Sequence, residues 1–189
     1  MRRIVLAAAM WCGAATCAQT AGLYPALISE TDITGLDLSY FLGPPDDYYY
    51  GLGAQHVTFD FGAPVVINGA GPDLNVYEVD NGAVEFDAVD VLVSADGVTF
   101  FNIDSTWGAA VDLLEDDAHG NSGFRRSFDL GVSGLSAVRY VKIQGTGNGA
   151  AGGNNDFDLD AIGIVNFVPS PGTGALIGCA SFVALRRRR

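Results

Sequence analysis

Between His56 and Phe167 the apolar residues recur mostly at every second position, in short runs broken by Gly, Pro, Asn and Asp. That period belongs to a strand buried on one face, and almost no helical period competes with it. In "HVTFDFG" (56–62) Val57, Phe59 and Phe61 face one way and His56, Thr58 and Asp60 the other. "LNVYEV" (74–79) follows a "GAGPD" turn, and in "FDAVDVLVS" (86–94) the core face is Val89, Val91 and Val93. "SADGVTFF" (94–101) sets an Asp96-Gly97 turn between two β-rich runs, a hairpin signal, and Phe100, Phe101 and Ile103 continue the return strand. "GFRRSFDLG" (123–131), "VRYVKIQG" (138–145) and "DLDAIGIVNF" (158–167) complete the set. About eight strands at this spacing predict an all-β sandwich. The segment 105–123 reads as a loop, or as one helical turn at Val111 to Leu114.

The chain ends set the compartment. Arg2 and Arg3 precede an apolar stretch from Ile4 to Ala15 and then "AATCAQ", the layout of a secretory signal peptide and cleavage zone. The division is thus 1–18 signal peptide, 19–168 sandwich domain and 169–189 C-terminal segment. Cys12, Cys17 and Cys179 all fall outside the middle part. The body therefore folds outside the cytosol without a disulfide and must be held by its core, which its length permits.

Charge is equally uneven. The body keeps four basic residues, Arg125, Arg126, Arg139 and Lys142, against all 22 acidic ones, a net −18. Such a surface repels nucleic acid and anionic lipid and attracts cations.

The tail "VPSPGTGALIGCASFVALRRRR" holds Pro169, Ser170 and Pro171, an uncharged run over 172–185, and Arg186, Arg187, Arg188 and Arg189. As a helix the run spans about 21 Å at ~1.5 Å per residue, short of the roughly 30 Å hydrocarbon core. The arginines supply a positive-inside stop. Proline motif, small apolar run and terminal arginines together resemble the bacterial PEP-CTERM sorting signal, with Ser170 where that family usually has glutamate. The resemblance implies an exosortase-type processing enzyme as partner, transient contact with the inner membrane through 172–185, and delivery to the cell surface or extracellular matrix. The alternative is a plain C-terminal anchor.

The body carries a second resemblance. "LGPPDDYYYGLG", "GPDLNVYE", "VLVSADGVTF", "VRYVKI" and "FDLDAIG", in that order over residues 40–165, are similar to the discoidin-related, galactose-binding-like sandwiches of secreted bacterial proteins. Membership implies a jelly-roll sandwich, often with a structural Ca²⁺ and sometimes a glycan site in its loops. The body is then flanked by the signal helix and a short C-terminal apolar helix.

Two clusters are candidate sites. Alternation places Asp156, Asp158 and Asp160 on one face of a strand, where like charges cost about 1 kcal/mol per close pair. Asp73, Glu78, Asp158 and Asp160, with Asp46 as a weaker addition, are candidate Ca²⁺ ligands; otherwise they cap turns and face water. Tyr48, Tyr49 and Tyr50, with Trp107 in the 105–123 segment, can stack on sugar faces while their polar atoms hydrogen-bond; otherwise the tyrosines pack a strand. His56 reads as a strand residue. His119, near Asp117 and Ser122, lacks a metal-binding or nucleophile motif, so catalysis is not expected. The sequence reads as an exported binding module contacting exopolysaccharide. The alternatives are a structural surface or biofilm protein with no small ligand and, last, a small secreted hydrolase.

Overall fold

The computed structural model describes residues 24–25, 27–62, 65–79, 84–104, 112–114, 123–147 and 156–168. The signal peptide, the C-terminal segment, Trp107 and His119 lie outside these residues. So do the two flanking helices expected there. The described chain is all-β, with short 3-10 turns and no α-helix.

Among the described residues thirteen strands form, more than the eight expected, because several are only two or three residues long. They are β1 (Leu27–Thr31), β2 (Tyr50–Gly51), β3 (His56–Asp60), β4 (Val65–Ile67), β5 (Leu74–Val79), β6 (Val89–Ser94) and β7 (Phe101–Asn102). Then follow β8 (Asp112–Leu114), β9 (Gly123–Phe128), β10 (Ala137–Val138), β11 (Tyr140–Gly145), β12 (Asp158–Ile164) and β13 (Phe167–Val168). One five-stranded sheet runs β1-β3-β11-β6-β7 and the other β2-β12-β5-β9-β8; a three-stranded sheet runs β10-β4-β13. All the pairings are antiparallel.

The alternate apolar residues of these strands pack together as their spacing predicts. Val57, Phe59, Val91, Val93, Val141 and Ile143 from the first five-stranded sheet meet Leu74, Val76, Phe124, Leu159, Ile162 and Ile164 from the second in one buried cluster. Each such side chain contributes roughly 1.5–3 kcal/mol by leaving water. That is how a body with no disulfide holds together. The Asp96-Gly97 turn joins β6 to β7 as a hairpin. Gly97 sits at φ +77°, where a side chain is disfavoured. The Asp96 carboxylate accepts the N–H groups of Val98 and Thr99, both at 2.8 Å.

Three local readings are corrected. Residues Phe86–Ala88 form a 3-10 turn rather than the start of a strand. Asp112–Leu114 is neither loop nor helical turn but strand β8, paired along β9 at the sheet edge. Its sequence has little strand character, and the pairing supplies the conformation. The third concerns the aspartates of β12. Leu159 pairs with Glu78 and Ala161 with Tyr77, so β12 carries an extra residue at 160, a β-bulge. The core face passes from Phe157 and Leu159 to Ile162 and Ile164 across it. A bulge re-aims side chains, and Asp158 and Asp160 no longer form one stacked row.

Candidate functional site

Asp37 caps a 3-10 turn, Leu38–Phe41, by accepting the N–H of Ser39 at 3.0 Å. The tight turn sends Phe41 fully into the core and leaves Tyr40 outside. The chain then runs through Gly43 and two prolines to Asp47, whose φ of +69° is left-handed. Aspartate tolerates that region better than most side chains. Tyr48 follows, and its ring stacks on Tyr40 with centroids 5.1 Å apart and planes 14° apart. Tyr40, Tyr48 and Tyr49 are 42%, 60% and 49% exposed. Tyr50, in contrast, packs against the core, and its hydroxyl donates to Gln55 Oε1 at 2.8 Å. The tyrosine run thus divides: two rings face water and one serves the fold.

Asp160 anchors this loop. Its carboxylate accepts the N–H of Asp46 at 3.2 Å and also the N–H of Asp47. Burial pushes Asp160 up to about 7, and those two backbone donors hold it back from rising further. Asp46 in turn accepts the N–H of Tyr48 at 3.2 Å. A chain of hydrogen bonds therefore connects the bulge in β12 to the exposed ring pair.

The other acids divide into two places. Glu78, 1% exposed, lies on the core face of β5, opposite Leu159 and Phe124. Its Oε1 accepts the N–H of Glu85 at 3.0 Å. Burial, and then hydrogen bonding with the Glu85 carboxyl, push Glu78 up to about 9. Asp158 goes up to about 7 for the same first reason, with the Glu85 and Asp156 charges adding. Arg126, buried on β9, rests over the Phe86 ring at 4.6 Å. Burial lowers it, and the charges of Glu78 and Asp87 oppose that. Sequence reasoning found Glu78, Asp158 and Asp156, but not Glu85 or the inward Arg126. The signal for the arginine was its register: Arg126 shares parity with Phe124 and Phe128.

Asp73 stands apart. It and Glu78 are at opposite ends of β5, about 16 Å apart at ~3.3 Å per residue, too far to share one ion. Asp73 is wholly buried, and its oxygens accept Gly69 N–H at 2.8 Å, Leu130 N–H at 2.9 Å and Asn166 Nδ2 at 2.8 Å. It clips three loops. Asp73→Ala should cost about 3 kcal/mol, since buried donors lose a charged acceptor; a denaturant melt measures it, and a loss below ~1 kcal/mol would contradict this role. Among the described residues, no group of three or more carboxylate, imidazole or thiol side chains is placed to hold a metal ion.

No family model matches the chain, and no curated protein matches it. Among solved structures it is similar to CBM32-1 from a family 31 glycoside hydrolase of Clostridium perfringens. The identity is 15% and the TM-score 0.45, over 76% of this chain and 97% of that one.

Proposed function

We propose that this protein is an exported, non-catalytic binding module that contacts a neutral polysaccharide through Tyr40, Tyr48 and Tyr49. The observation that carries the reading is the exposed ring pair. Two large aromatic rings stand in water, in register with each other, on a loop anchored to the sheet by Asp160. Exposed rings of this kind suit the apolar C–H face of a sugar, and the adjoining Asp46 and Asp47 offer acceptors to its hydroxyls. The net charge of −18 over the body disfavours an anionic polymer. Export is supported by the signal-like head and the PEP-CTERM-like tail, which also make an exosortase-type enzyme the expected processing partner.

Affinity electrophoresis through gels containing glucan, galactan or xylan tests the reading. Retardation by at least one polymer is expected. The double variant Tyr40→Ala, Tyr48→Ala should weaken it tenfold or more while leaving the melting midpoint within a few degrees. Unchanged retardation in the variant would remove the ring pair from the account. Silence across the polymers would favour a structural surface protein with no sugar ligand.

A further inference from the structure

The edge strand β1 is held to its sheet mainly by polar contacts. It pairs with β3 alone, and the ladder is interrupted by a shift between Ile28 and Glu30. None of its five residues is buried, and Ile28 alone among them packs against the core. A strand with few buried apolar contacts belongs to the low-stability end of a structure, so its polar contacts decide whether it stays closed. Two of these are hydroxyl clips. Ser29 Oγ donates to the carbonyl of Thr58 at 3.2 Å, and Thr31 Oγ1 donates to that of His56 at 2.6 Å.

The third is ionic and centres on His56, at the start of β3. Its Nδ1 lies 3.3 Å from Asp32 Oδ2 and its Nε2 lies 3.9 Å from Glu30 Oε1. Nε2 is buried and has no hydrogen-bond partner among the described residues. Each ring nitrogen thus faces a carboxylate. A neutral imidazole has one N–H, and its other nitrogen would turn a lone pair towards a group that only accepts; the imidazolium has two N–H groups. The surroundings therefore match the charged ring. Lys142 on β11 is the other charged neighbour, its Nζ 3.4 Å from Glu30 Oε2. Gln144, opposite His56 on β11, is neutral. Slight burial would raise Asp32, but the hydrogen bond from the His56 N–H, at 2.8 Å, and the ring's charge outweigh it and hold the carboxyl below its ordinary value. Asp32 thus stays ionised through the range in which a histidine changes charge.

We propose that His56 is a proton-operated clasp for β1: the imidazolium bridges Asp32 and Glu30 and keeps the strand on the sheet, and loss of its proton lets β1 detach locally. Detachment bares the edge of β3, a row of backbone groups open to pairing with another chain. The clasp's contribution is present while the ring is charged and is lost as the pH rises.

Hydrogen–deuterium exchange of the purified full chain at pH 5.5 and 7.5, corrected for intrinsic rates, tests this. Acid also stabilises the whole fold through Glu78, so the amides of β9 serve as the internal reference. The β1 amides should be about threefold better protected at pH 5.5 than at 7.5, beyond any change in β9. His56→Gln, which carries no charge at either pH, should abolish that difference. Asp32→Asn should reduce it, and its Oδ1 can still accept the His56 N–H, so the turn before β3 keeps its hydrogen bond. The proposal is overturned if β1 and β9 change equally with pH, or if the difference persists in His56→Gln. Should His56→Gln melt early, Asp32→Asn decides: a difference as large as in the wild type overturns the clasp.

Discussion

Raising the pH from 5 to 9 is expected to lower the melting midpoint of this protein steeply, and Glu78→Gln to remove much of that fall. Glu78 is buried on the core face of β5 and is pushed up to about 9, from an ordinary value of 4.5. A carboxyl raised in the folded state binds a proton more tightly there than in the unfolded chain. Its stabilising contribution is complete below pH 4.5 and drains away as pH rises towards 9. One proton contributes at most about 1.4 kcal/mol per pH unit, so Glu78 alone removes on the order of 4 kcal/mol between pH 5 and 8. Asp158 and Asp160, both raised to about 7 from 3.8, act in the same direction between about pH 4 and 7.

The opposite sign holds for Asp60, lowered first by its hydrogen bonds to Arg139, 2.7 Å from each of two nitrogens. Its contribution is present above pH 3.8 and lost as the medium becomes more acid. The maximum of stability should therefore lie near pH 4–5. At roughly 2–4 °C per kcal/mol for a chain of this size, the share of the fall from pH 5 to 8 that Glu78 alone contributes is about 10 °C. Glu78→Gln keeps the shape and a neutral side chain, so its midpoint should depend on pH much less. Calcium at these acids predicts the reverse: stability would rise with pH, and EDTA would lower the midpoint. Scanning calorimetry across pH, with and without EDTA, decides between the shared proton and the ion. A midpoint flat from pH 5 to 9 would sink the proton account.

The second large effect is steric. Gly145 ends β11, where its N–H donates to the carbonyl of Gln55 at 2.9 Å. The loop after β2 crosses directly over it. A Cβ on Gly145 would overlap the carbonyl oxygen of Gly53, a backbone atom, and come within 3.2 Å of Leu52 Cβ. Leu52 is itself fully buried and donates its N–H to the carbonyl of Phe157 at 3.0 Å, so the loop has nowhere cheap to go. Gly145→Ala should cost about 3 kcal/mol, towards the upper end of overpacking effects, and lower the midpoint by roughly 6–12 °C. Gly163→Ala is the matched control. Its Cβ would meet the Tyr24 and Tyr77 rings at 3.4 and 3.5 Å, ordinary contact distances, and should cost less than about 1 kcal/mol. Equal losses in the two variants would show that the crossing at Gly53 is not what Gly145 permits.

The candidate sites divide by how far apart in the chain their parts lie. Tyr48 and Tyr49 were legible because a run of tyrosines beside two aspartates is unusual in any loop. Tyr40 was not, since its pairing with Tyr48 depends on the 3-10 turn that aims it. Asp158 and Glu78 were legible as acids on strands. Their companions Glu85 and Arg126 were not: Glu85 is buried where it caps the 3-10 turn at Phe86–Ala88, and Arg126 faces the core from a strand, where a charged side chain ordinarily faces water.

What the sequence determined by itself was the local alternation: which residues form strands, which face of each is apolar, and where Asp96-Gly97 turns the chain. Those properties depend on neighbours two to four residues apart, so they are written in any short window. The tertiary structure alone decided the bulge at Asp160, the edge strand at Asp112–Leu114 and the meeting of Glu78, Leu159 and Phe124 on one face. Each of these is a matter of register between strands distant in the chain. A shift of one residue there turns a side chain from one face of the sheet to the other.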